Sequence, residues 1–187
     1  MGITRKKTTL YIERIEEERT EFRSEISALN PEDIVYMDES GFSDGLQREY
    51  ARAKRGSPLI SKIKGKKNKR TSVIAAYVSA TKTLLAPYAF VGYTDTQRFN
   101  GWVETCLLPE LRQGQTVVMD NAPFHKSQKT KNLIESVGCE LLYQPKYSPD
   151  LNPIEKVWGN LKRKYRKIIR RHTINHYDAV NALFQYD

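Results

Sequence analysis

Apolar positions along this chain change their spacing several times, and each change marks an element. From Thr9 to Leu29 the residues are helix formers rich in Glu and Arg. Ile15, Phe22, Ile26 and Leu29 fall at helical spacing there, predicting a helix broken by Asn30-Pro31-Glu32-Asp33. Ile34 to Met37 is β-branched and aromatic and reads as a strand, with Ser40-Gly41 expected to turn the chain. Thr71–Ala80 and Leu84–Gly92 predict two further strands, antiparallel neighbours because only a few residues join them. Helical spacing returns from Thr96 to Leu111 through Phe99, Trp102, Val103, Cys106 and Leu107, with Pro109 near its end. A strand over Thr116–Met119, a helix over Ser127–Val137 and a strand over Cys139–Tyr143 follow. The next helix is expected to begin at Asn152 or Pro153, with Ile154, Val157, Trp158, Leu161 and Tyr165 in one stripe, and an amphipathic segment runs from Asn175 to Phe184.

Three early strands followed by alternating helix and strand predict an α/β fold, a mixed sheet with helices on both faces. The 187 residues suit one domain with short appendages. The expected division is an N-terminal helical segment or linker over 1–30, the main domain over 31–172 and a C-terminal helix over 173–187.

Charge narrows the partners. Lys and Arg number 31 against 22 Asp and Glu, a formal +9, which favours a polyanion and most often nucleic acid. Two cysteines, Cys106 and Cys139, form no disulfide framework and suit a reducing cytoplasm. No run of 18 apolar residues occurs and the N-terminus leads into a charged segment, so a soluble, cytoplasmic chain with no membrane partner is expected.

Three carboxylates carry the candidate chemistry. Asp38 and Asp120 stand at the ends of strand-like runs, and Glu155 stands in the first turn of a helix. Magnesium takes hard oxygen ligands, usually a few carboxylates completed by water and phosphate. Two such ions can serve both the attacking and the leaving oxygen of a displacement at phosphorus. The three histidines and two cysteines are too scattered for a zinc cluster.

Each acid also has a plainer reading. Asp38 suits the opening of an Asp-Glu-Ser-Gly turn, and Asp120 suits an Asx turn before Pro123. Asn152, Pro153 and Glu155 resemble the Ncap, N1 and N3 positions of a capping box. Alternation along a strand puts Asp38 and Glu39 on opposite faces, so one of them serves the site, and Glu39 is the fallback.

Two basic clusters are candidate phosphate contacts. Residues 42–70 are polar and rich in turn formers, a hairpin tip or a loop, and end with Lys66, Lys67, Lys69 and Arg70. Lys162, Arg163, Arg166 and Lys167, followed by Arg170 and Arg171, extend the helix that carries Glu155. The plainer reading of both is a solvated face, and neither offers an element that reads bases. Asn121 is placed to orient Asp120 or a phosphate, and His125 to contact DNA or a water; a loop histidine serves equally as a surface or capping residue.

The blocks around the acids sharpen this. Tyr36-Met37-Asp38-Glu39-Ser40-Gly41-Phe42, Met119-Asp120-Asn121-Ala122-Pro123-Phe124-His125-Lys126-Ser127 and Tyr147-Ser148-Pro149-Asp150-Leu151-Asn152-Pro153-Ile154-Glu155-Lys156-Val157-Trp158 resemble the three catalytic blocks of bacterial insertion-sequence transposases of the mariner superfamily. Between Asp120 and Glu155 lie 34 residues, the spacing associated with one branch of that superfamily. The similarity covers roughly residues 20–170.

The resemblance implies a ribonuclease-H-like DDE domain that cuts DNA at transposon ends and joins the freed 3′-hydroxyl to a new site. It implies Asp38, Asp120 and Glu155 as the metal-binding triad for two magnesium ions, with manganese able to substitute. Asp38 bridges both ions in this reading, because the family's first strand is central. Double-stranded DNA, as transposon ends and target, is the implied partner of a homodimer at the cytoplasmic nucleoid. Related transposases carry helix-turn-helix modules ahead of the catalytic domain, whereas about 30 residues precede the first strand here. End recognition is therefore expected from a separate polypeptide or reading frame, or is lost. The competing readings are an inactive remnant that regulates a transposase, a nuclease of the same fold acting on another substrate such as an RNA–DNA hybrid, and a basic nucleic-acid-binding protein without catalysis.

Overall fold

A computed structural model describes residues 12–43, 56, 70–171 and 174–184. Its framework is a five-stranded sheet made of β1 (Ile34–Phe42), β2 (Thr71–Val78), β3 (Thr83–Val91), β4 (Thr116–Met119) and β5 (Glu140–Tyr143), in the order β3-β2-β1-β4-β5. The β1–β2 and β2–β3 pairs are antiparallel, and β4 and β5 add to β1 in parallel. This is the expected mixed α/β sheet, and β1 lies at its centre.

The helices are α1 (Glu16–Ala28), α2 (Thr96–Trp102), α3 (Gln128–Ser136), α4 (Ile154–Arg171) and α5 (His176–Asn181). Strand alternation sorts them between the two faces. Val35 and Met37 of β1 pack with Phe99, Trp102, Val103, Leu107 and Ile134, the apolar stripes of α2, its continuation and α3. On the opposite face Phe42 packs with Ile154, Trp158, Leu161 and Tyr165 of α4 and with Ala179 and Val180 of α5. Ile34 and Tyr36 share that second face and meet Phe22 and Ile26 of α1 together with Leu151. Asp38 continues the Ile34, Tyr36 series and so lies between the α1 and α4 packing regions.

Several local expectations change. Ser40-Gly41 does not turn the chain: β1 continues to Phe42, paired from Asp38↔Ala75 to Phe42↔Thr71. Pairing along β2 overrides the turn propensity. Gly41 instead leaves room for the Arg70 guanidinium, since a Cβ there would lie 2.5 Å from Arg70 Nε. The predicted helix over 96–111 changes pitch, running from α2 into a π-helical turn over Val103–Leu107 and a 3-10 turn over Leu108–Glu110. Ile15 is 49 % exposed and leaves the α1 stripe, whereas Arg19 is buried within it. The start of the first predicted helix and nearly all of the 42–70 segment, including Lys66, Lys67 and Lys69, lie outside the described residues. No helix among the described residues is long and apolar enough to cross a membrane.

Candidate active site

The three acids reach one cleft by three routes. Asp38 stands in central β1 and Asp120 follows the last residue of β4, at the carboxyl end of a parallel strand beside it. Glu155 occupies the first turn of α4, whose Trp158 packs on the same sheet face. Together with Asn121, Gln144, Tyr147, Ser148, Pro149 and Asn152 they line an open cleft of about 480 Å³. Among the described residues no group of three His, Cys, Asp or Glu side chains is already arranged to hold a metal ion. The acids share the cleft without closing on a common point.

Their electrostatics differ. Burial pushes the Asp38 carboxyl up, the charges of Glu155 and Asp120 push it further, and it reaches about 7. Two donors work against this: Glu39 N–H to Oδ1 at 2.7 Å and the Trp158 indole N–H to Oδ2 at 3.1 Å. Burial also raises Asp120, but the His125 hydrogen bond and charge and the Ala122 amide outweigh it and leave that carboxyl below the usual range. The His125 Nδ1 to Asp120 Oδ1 distance is 2.6 Å, and Ala122 N–H donates to the same oxygen at 2.9 Å. Asp120 Oδ2 is therefore the oxygen turned to other work.

The sequence candidates separate in space. His125 is 2 % exposed, wedged against Phe99 and Phe124 with ring centroids 4.4 and 4.3 Å away, so its side chain has no surface to offer DNA. Its ring instead orients Asp120, and Tyr143 O–H fixes its backbone carbonyl at 3.1 Å. Asn121 lines the cleft and donates its amide to Gln144 O, tying the loop after β4 to the end of β5. Glu39 points to the other face, where Arg70 Nη2 pairs with it at 3.1 Å and Thr94 donates to its second oxygen. The fallback acid is thus neutralised away from the cleft. Arg70, proposed from sequence as a phosphate contact, is committed to Glu39 and lies 4.9 Å from the Tyr93 ring.

On α4, helical geometry aligns Lys162 and Arg166 with Glu155, about 10 and 16 Å further along the axis. Arg163 and Lys167 sit to one side, in a groove with Tyr77, Lys82 and Leu84. The side chains of Arg170 and Arg171 lie outside the described residues. The capping box at the start of α4 forms by half. Asn152 Oδ1 accepts from Ile154 N–H at 3.3 Å, but Asn152 N–H is given to Pro149 O at 3.1 Å. Glu155 is exposed on the cleft side of that turn.

Two contributors escaped sequence reading. Trp158 was legible as part of the α4 stripe, yet nothing in that periodicity shows its indole N–H aimed at Asp38. Asn152 Nδ2 donates to Met37 O at 3.3 Å, joining the start of α4 to the residue before Asp38. Its Ncap signature was visible, its second bond was not.

Comparison with known proteins gives the family and the fold. A family model described as DDE superfamily endonuclease matches residues 33–176. The Tc1 transposase of Caenorhabditis elegans is 30% identical over 89 residues, 45% of this chain and 33% of that protein. The Tc3 transposase of the same nematode is 48% identical over 44 residues, 24% of this chain and 13% of that protein. The chain thus spans a third or less of the length of these relatives. Among solved structures, the catalytic domain of Mos1 mariner transposase superposes with a TM-score of 0.62 at 15% identity, covering 96% of this chain and 85% of that one. The Mos1 paired-end complexes with Mg and with Mn give TM-scores of 0.66 and 0.63, each at 16% identity. They cover 98% and 97% of this chain and 64% and 63% of theirs. At these identities the likeness shows the fold, a ribonuclease-H-like sheet.

Proposed function

We propose that this chain, which belongs to the DDE superfamily endonucleases and is homologous to Tc1/mariner transposases, cuts DNA at transposon ends and transfers the freed strand to a new site. The observation that carries the proposal is the convergence of Asp38, Asp120 and Glu155 on one open cleft, with the like charges of the other two acids raising Asp38. Such a set of hard oxygen donors, two of which push the third up by their charge, fits divalent metal. Asp38, Asp120 and Glu155 would hold the ions. Bound there, two magnesium or manganese ions would activate the attacking oxygen and stabilise the leaving one at phosphorus.

The chain's own residues do the rest. His125 and the Ala122 amide keep Asp120 ionised and fix its rotation. Glu39 N–H and Trp158 Nε1–H fix the rotation of Asp38 and work against the burial and like charges that raise its carboxyl. Lys162 and Arg166, on the Glu155 face of α4, supply backbone attraction beside the cut without reading sequence. Gly159 lies between Glu155 and Lys162 on that face, and a Cβ added there would meet no atom of the described residues within 4 Å. Among the described residues nothing fills this gap, which leaves room for a DNA strand in this reading.

The partner in this reading is double-stranded DNA, with a second copy of the chain to pair two ends. The resemblance of the three catalytic blocks supports the narrower placing in a bacterial insertion sequence. Incubating the chain with supercoiled plasmid, manganese and a short duplex bearing a free 3′-hydroxyl tests the strand-transfer half. Covalent joining of duplex to plasmid is expected. Cleavage of an RNA–DNA hybrid with no joining would replace transposition by a nuclease role.

A further inference from the structure

A fully buried arginine links the N-terminal helix to the loop that delivers Glu155. Arg19 of α1 is 0 % exposed and forks onto Asp150, with Nη1 to Oδ1 at 3.1 Å and Nη2 to Oδ2 at 2.6 Å. Glu16 Oε2 lies 3.5 Å from its Nε, and Arg14 approaches Asp150 at 4.0 Å. Asp150 sits in the turn Pro149–Leu151, five residues before Glu155. The Arg19 hydrogen bond holds its carboxyl below the usual range, so the pair is charged at neutral pH.

Everything around this turn faces the cleft or its supports. Ser148 and Pro149 line the cleft itself. Leu151 packs with Phe22 and Ile26 of α1. Asn152 bridges to Met37 O and caps α4. The contacts form a continuous path from α1 through Asp150 to the first turn of α4 and to the residue before Asp38.

Stability alone does not account for the choice of residue. Burying a guanidinium is expensive even beside a half-exposed carboxylate, and an apolar side chain in its place would avoid that cost. A planar fork gives something an apolar contact cannot, a fixed orientation of the carboxylate it holds. We propose that Arg19 is a positioning residue for the active site: its fork on Asp150 sets the 148–153 turn in the orientation from which α4 presents Glu155 to the cleft. This rests on the metal-dependent reading of that cleft. It makes α1, which lies before the matched residues 33–176, a working part of the catalytic unit.

The test compares the full chain with Arg19→Lys, which keeps the charge and loses the fork, and Asp150→Asn, which keeps the shape and loses the charge. Amide hydrogen exchange is measured on metal-free protein, Mn²⁺ affinity by electron paramagnetic resonance, and nicking on plasmid. In both variants exchange over 146–155 is expected to rise while the sheet keeps its rates. Mn²⁺ affinity is expected to fall about tenfold or more, the usual scale for losing an outer support of a metal ligand. Nicking should fall in step, with DNA affinity unchanged. Should Arg19→Lys fold poorly, Asp150→Asn carries the comparison, since that side chain is 54% exposed. Parental exchange over the turn, parental Mn²⁺ affinity, or a rise in exchange spread across the sheet would overturn the assignment. If Mn²⁺ binding to the parent survives Asp120→Asn, the metal reading itself falls and takes this assignment with it. If binding is lost in Asp120→Asn yet intact in the two variants, the assignment alone falls.

Discussion

Asp38 and Asp120 are the same residue type in one cleft, and their surroundings drive them apart. Asp120 is kept ionised by His125, whereas Asp38 is raised to about 7 by burial and by Glu155 and Asp120. A carboxyl whose folded value lies above its unfolded value loses stability for the fold as pH rises from the unfolded value near 4 towards 7. In metal-free buffer, Asp38→Asn should therefore match the parent near pH 4.5 and exceed it at pH 8, by on the order of 1–3 kcal/mol. Chemical denaturation in EDTA at the two pH values checks this, and equal stability throughout would show that Asp38 is not strained by its neighbours. His125→Phe preserves the packing against Phe99 and Phe124 but removes the donor to Asp120. It should keep the fold and lower nicking about 10- to 100-fold, and parental nicking would reduce His125 to a core residue. The three candidate acids were legible in sequence because three ordered blocks carry them. The role of His125 was not, because a loop histidine gives no sign of burial, and the ring stacking that buries it comes from Phe99, far off in the chain.

Helix α4 carries both Glu155 and the proposed DNA contacts. Its apolar stripe was readable from spacing, and so was the basic run beyond Glu155. What spacing did not separate is which cations share the Glu155 face. Lys162 and Arg166 do; Lys167 lies in the groove beside Tyr77 and Lys82. Lys162→Glu should weaken DNA binding and flatten its dependence on salt by about one unit of slope. Lys167→Glu should do much less, and equal effects would mean that DNA does not follow the Glu155 face. Gly159→Ala tests the same surface from another side. It should stabilise the helix by about 0.5–1 kcal/mol while reducing cleavage, and a more stable variant with full activity would free that gap from any part in DNA approach. Strand β1 teaches the reverse lesson. The Ser40-Gly41 signal was read as a turn, but eight residues of pairing with β2 hold it extended, and the glycine serves the side chain of Arg70 instead. A local signal of that kind yields to ladder pairing that a single strand's sequence does not contain.

Over the whole molecule, the mixed sheet and its two-faced packing followed from the order of periodic segments, since strand alternation alone decides which residues meet α1 and α4 and which meet α2 and α3. The link between α1 and the Glu155 loop was out of reach, because Arg19 and Asp150 stand 131 residues apart and each looks like an ordinary surface charge. We propose that Asp38, Asp120 and Glu155 act together as one metal-dependent DNA-cutting site, without Glu39. Nicking of supercoiled plasmid by the purified chain, with magnesium or manganese, measures it most directly beside Asp38→Asn, Asp120→Asn, Glu155→Gln and Glu39→Gln prepared identically. The expected result is metal-dependent nicking by the parent and by Glu39→Gln, abolished in the other three while their salt-sensitive DNA binding persists. Full nicking in any one of those three would remove that residue from the site, and nicking that ignores metal would contradict the account as a whole.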